Sequence, residues 1–224
     1  MLIRCFPDRF VIRALCGALT SAFALTLTTP VAEAASRQDY APDPGLGVSE
    51  AMPEGPPFEL PEGLTLEDPI RGYNGSDPED CDYKYAEQGV GKGEQVRICL
   101  VLNNQTDAPI TLQLPPGLIF VSRKLQHQNG MIAQRISIEV PAKTRYFQPL
   151  FAYCVNSSRD SSSLESEYEL GPVATQPRFQ AFFRFLEDKV IDDINFVAVN
   201  LALGDLAEGG EISDFVRTEY LNGL

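Results

Sequence analysis

The chain has no tryptophan and a single histidine, and its 18 lysines and arginines face 31 aspartates and glutamates. Each shortage removes a class of function. One histidine, His127, cannot build a multi-histidine zinc site, and no Cys/His ligand spacing accompanies it. A Ser-His-Asp triad would have to use the same residue, and no G-x-S-x-G turn is present to position a serine. In Leu125-Gln126-His127-Gln128-Asn129-Gly130 the histidine reads as an exposed loop residue. Neither a P-loop nor a Rossmann glycine pattern occurs. A net charge of −13 leaves no basic footprint for nucleic acid, nor for an anionic membrane surface. The expectation is a protein without metal, cofactor or catalytic set.

Long hydrophobic runs are also scarce. The longest lies near the N-terminus, from Ala14 to Leu27, behind Arg4, Arg9 and Arg13. It falls short of the roughly 18–20 residues that span a bilayer. Ala32-Glu33-Ala34 follows as a small-x-small pattern. Together these read as a secretory signal peptide over residues 1–34, cleaved after Ala34. What remains is roughly 190 residues, room for one ordinary domain and a tail, with no transmembrane segment. The expected location is secreted or periplasmic.

Cleavage changes the cysteine arithmetic. Cys5 and Cys16 leave with the leader, while Cys81, Cys99 and Cys154 stay. Three cysteines in an exported chain allow one disulfide and one spare thiol. Cys99–Cys154 is compatible with a bridge across an immunoglobulin-like sandwich, although the tryptophan that usually packs on it is missing. Cys81–Cys99 would instead tie the first ordered segment to its neighbour. Spacing alone does not choose between them.

From residue 35 to residue 80 the chain is rich in proline (Pro42, Pro44, Pro53, Pro56, Pro57, Pro61, Pro69, Pro78) and in acids, with few bases. That composition predicts a disordered, semi-rigid linker, because too little apolar surface is available to offset ordering entropy. Phe58-Glu59-Leu60 and Leu64-Thr65-Leu66 are its only candidate docking points.

Residues 81–158 then alternate. Val96, Ile98, Leu100 and Leu102 share parity, as do Ile110, Leu112 and Leu114, and Ile136, Ile138 and Val140. Asn103 to Pro109 is turn chemistry, and Pro115-Pro116-Gly117 ends a strand. Cys99 to Phe120 therefore reads as a hairpin in a sheet wall, and Tyr146 to Val155 as the last long strand. Strands at this spacing predict a mainly β fold, an antiparallel immunoglobulin-like β-sandwich.

Residues 159–224 change texture, from a polar loop to helical spacing. Phe179, Phe182, Phe183 and Leu186 make one apolar stripe, and Phe196, Val199 and Leu203 a second. Gly204 or Gly209-Gly210 could end the second helix, and Ser213 could cap a third. The expectation is a helical cap packed on the sandwich. Asp205, Glu208, Glu211 and Asp214 lack the spacing of a calcium loop and read as solvated helix ends. Asn74, Asn104 and Asn156 begin formal glycosylation sequons.

One constellation points to a family. Tyr153-Cys154 ends a strand, and Val199-Asn200-Leu201-Ala202-Leu203-Gly204 follows on a helix. From about Val96 to Leu224 this order resembles the thioester domains of bacterial surface adhesins, where a cysteine is joined to the glutamine of a V-Q-x-A-I-W-like motif. The resemblance matches Cys154 to that cysteine, and Val199, Ala202 and Leu203 to the motif's apolar positions. Asn200 stands in place of glutamine, one methylene shorter, and Gly204 in place of tryptophan. It implies a shared fold with degenerate thioester positions at Cys154 and Asn200.

Two functions follow. The first is an exported non-enzymatic binding or scaffold module for a protein or surface component of the envelope or extracellular space. The second is a reactive-cysteine module, a covalent adhesin or redox protein, using Cys154.

Overall fold

Alternation decides the two longest strands. β4 (Val96–Asn104) buries Val96, Ile98, Leu100 and Leu102 on one side and turns Cys99 and Val101 to the other. β9 (Thr144–Cys154) runs antiparallel along its whole length, from Val96↔Ala152 to Asn104↔Thr144. These assignments come from a computed structural model that describes residues 41–74, 76–77, 80–81 and 89–224. The chain divides into two units, Met1–Arg37 and Gln38–Leu224. The first, with the expected leader, Cys5 and Cys16, lies outside the described residues.

With β9 on one edge of β4, the other edge takes β1 (Leu64–Leu66) and β2 (Ile70–Gly72). β2 pairs with β10 (Glu167–Val173), β10 with β6 (Leu118–Ser122), and β6 with β7 (Gly130–Met131). β7 pairs with β9, which returns the order to β4. Every pairing in this ring is antiparallel, so six strands form a closed barrel. β3 (Val90–Gly91) joins β9 in parallel from outside the ring. Gly91, at φ +83°, is needed there, because a Cβ would lie 2.3 Å from the Phe151 carbonyl oxygen.

The mainly β, antiparallel class with a helical C-terminal part is therefore present, but the sheet closes on itself where an open immunoglobulin-like sandwich was expected. Closure removes the exposed edges that two open sheets would leave. The hairpin expected from Cys99 to Phe120 is absent as well. β5 (Ile110–Leu114) pairs with β8 (Ile136–Val140), not with β4, in a separate two-stranded ribbon. Its Leu112, Leu114, Ile138 and Val140 join the core that Phe120, Leu150, Ala152 and Tyr168 fill from the barrel.

The proline-rich segment is the second correction. Residues 41–74 are not a linker: they supply β1 and the barrel strand β2. Specific polar groups hold the earlier part. Asn156 Nδ2 donates to the carbonyls of Gly45 (3.1 Å) and Gly47 (3.0 Å), and Asn129 Nδ2 to Gly45 (2.9 Å). Both asparagines are buried, so these bonds satisfy groups that would otherwise be costly to desolvate. Leu46 is buried beside them, and Asp43 pairs with Arg178. The third correction is β10, a barrel strand within the stretch expected to be loop and cap; its register shifts between Leu170 and Val173, around Gly171-Pro172.

The cap forms as its spacing predicts. α1 (Pro177–Leu186) buries Phe179, Phe182, Phe183 and Leu186, and α2 (Phe196–Ala207) buries Val199 and Leu203. Both stripes pack with Ile119, Val121, Met131 and Tyr153 on the outer wall of β6, β7 and β9. In α3 (Asp214–Glu219) Ser213 caps the first turn, its hydroxyl accepting from the Val216 N–H.

Candidate functional site

The two open cysteine pairings resolve into one. Cys81 is bonded to Cys99, and Cys154 is a free, buried thiol. The bridge fastens the chain just after β2 to the outer face of β4. Tyr73 and Phe151 stack beside it at 5.8 Å, with the Arg97 guanidinium 5.6 Å above the Phe151 ring.

Cys154, the last residue of β9, meets α2. Its Sγ donates to Asn200 Oδ1 at 3.4 Å. The two positions matched to the thioester pair are thus adjacent across the barrel–helix contact. Val199, Ala202 and Leu203 are all buried in the cap core, so packing alone accounts for their apolar character. The surroundings keep the sulfur protonated. Burial pushes the Cys154 thiol up. A thiol is a far weaker nucleophile than a thiolate.

Other residues singled out by sequence fall elsewhere. His127 is buried, not exposed, and its Nδ1 lies 3.1 Å from the Ser161 carbonyl. Asp205 accepts from the Ser213 N–H at 2.9 Å, and Glu208 from the Ser157 hydroxyl at 2.7 Å. Among the described residues no group of three or more His, Cys, Asp or Glu could hold a metal ion. Asn104 and Asn156 are buried and hydrogen-bonded, so their sequons are inaccessible in the folded protein.

A feature that sequence reading passed over is the α1–α2 connection. Val190 is 81% exposed and Ile194 86% exposed, although both are large and apolar. The turn carrying them is nonetheless fixed. Asp192 Oδ1 accepts from the Ile194 and Asn195 N–H groups at 2.8 and 2.9 Å, and Asn195 Nδ2 donates to the Val190 carbonyl at 2.9 Å. Those backbone donors, Asn195 first, hold the Asp192 carboxyl below its usual range. Gln134 anchors the preceding end by donating to the carbonyls of Leu186 and Lys189. The signal in the sequence was a pair of apolar residues off the α1 stripe, within Asp188 to Asn195. No helix among the described residues is long and apolar enough to cross a membrane. No family model matches this chain, and neither a curated protein nor a solved structure matches it.

Proposed function

We propose that the protein is an exported, non-enzymatic binding module that recognises a protein of the cell envelope or extracellular space. The observation that carries this is the α1–α2 turn, where Val190 and Ile194 stand exposed on a hydrogen-bonded frame. A fixed turn loses little conformational entropy on binding, so its apolar side chains contribute more of their burial to affinity. The charged leader, the Cys81–Cys99 bridge and the excess of acids support export. The test places a photo-crosslinking residue at Ile194 in the natural host. Adducts in the envelope or extracellular fraction that vanish in the Val190→Asp variant support the reading. A cytoplasmic protein that retains Met1, or a crosslink pattern indifferent to Val190→Asp, refutes it.

The contact between Cys154 and Asn200 favours a second reading, a reactive-cysteine module. In it the sulfur attacks the Asn200 amide carbonyl, the S–C bond forms, the C–N bond breaks, and ammonia leaves with the thiol proton. The intact mass of the mature chain would be lower by one ammonia, and denatured Cys154 would resist alkylation. A full mass together with an alkylatable Cys154 leaves the non-covalent module standing.

A further inference from the structure

A cavity of about 340 Å³ opens where β3 and β7 both end against β9, roofed by the α1–α2 connection. Its apolar lining includes Ile132, Phe151 and Ile191. Its polar lining reverses the charge of the molecule. Lys92 and Arg135 both border it, in a chain whose net charge is −13. Arg135 is exposed and has no carboxylate partner among the described residues. Lys92 pairs with Asp193 at 2.7 Å, but both side chains are well exposed, at 45% and 89%. Such a pair contributes on the order of 0–1 kcal/mol and can exchange for a better-placed anion.

Tyr153 borders the same cavity, but its phenol oxygen is buried out of reach of it and contributes no contact there. The volume falls within the range of small-molecule sites, which combine apolar walls with a few convergent polar groups.

We propose that this cavity binds a small amphiphilic anion, an organic carboxylate with an apolar body, whose headgroup is held by Arg135 and Lys92 while its body lies against Ile132, Phe151 and Ile191. This rests on the cavity and not on recognition through Val190 and Ile194, so either can fail alone. The test is calorimetric titration of the mature protein with octanoate, and with 1-octanol as an uncharged chain of equal length. Octanoate should bind saturably at one site and weaken as salt rises, while octanol binds at least tenfold more weakly. Arg135→Ala should lose about tenfold in octanoate affinity, with no loss of thermal stability. Arg184→Ala, an exposed cation outside the cavity, should leave affinity unchanged. The proposal is overturned if octanoate shows no saturable binding, if octanol matches it, or if a folded Arg135→Ala protein binds octanoate as the parent does.

Discussion

Replacing both Cys81 and Cys99 by alanine should destabilise the mature protein by about 3 kcal/mol. The bridge joins residues separated by 18 positions, and the loop-closure relation for a ring of that size gives about 3 kcal/mol at room temperature. Both sulfurs are buried beside Tyr73, so alanine introduces no unpaired polar group. Domain stabilities of roughly 5–15 kcal/mol make this a large fraction of the total. For a chain of this length about 2–4 °C of melting temperature accompanies each kcal/mol, so the midpoint should fall by roughly 6–12 °C. The mechanism predicts something further. The bridge acts mainly by limiting the unfolded ensemble, so the double variant should also show a steeper denaturant dependence, because its unfolded chain expands more. The assay is paired thermal and urea unfolding, followed by circular dichroism without reductant. Before unfolding, alkylation of the denatured, unreduced parent should modify Cys154 alone. An unchanged midpoint would refute the reasoning, and so would a parent in which Cys154 is oxidised and Cys81 or Cys99 alkylates.

A chain beginning at Asp77 should fail to melt cooperatively, because it lacks Leu46, β1 and the barrel strand β2; a sharp transition near the parent midpoint would show that the ring closes without that strand. Gly72→Ala should destabilise by about 1–3 kcal/mol or more, since its Cβ would lie 1.8 Å from the Ser163 carbonyl oxygen, and urea midpoints of the two proteins measure this. Hydrogen bonds from Arg145, and then Asn103, lower the Glu67 carboxyl from 4.5 to about 2. A depressed carboxylate stabilises the fold fully above its unfolded value and loses that contribution as pH falls from about 4.5 through about 2. Because Glu67 and Arg145 are 40% and 53% exposed, the effect should be no more than about 1 kcal/mol. Acid titration of stability should therefore be slightly flatter in Glu67→Gln, and an identical slope would contradict the assignment.

Sequence alone determined the elements whose periodicity is long enough to bias one face. Val96 to Leu102 alternates over enough residues that only one register buries them all, and Phe179, Phe182, Phe183 and Leu186 fit a single helical stripe. Ser213 was legible because an N-cap is a local matter of one side chain and one backbone N–H. The adjacency of Cys154 and Asn200 could be suspected from their order, but the contact itself depends on α2 packing against β9. What the tertiary structure alone decided is the closure. β2 spans Ile70 to Gly72 and buries one large apolar side chain, while β3 and β7 are two residues each. Strands this short carry no period and exist only because partners supply their hydrogen bonds. The proline-rich segment has the composition of a linker, yet the buried Asn129 and Asn156 amides donate to the Gly45 and Gly47 carbonyls and hold it against the domain. Those asparagines lie far along the chain from the backbone they hold. The cavity between β3, β7 and the α1–α2 connection has the same origin. Lys92 and Arg135 are unremarkable in sequence, and border one cavity only because β3 and β7 both end on β9.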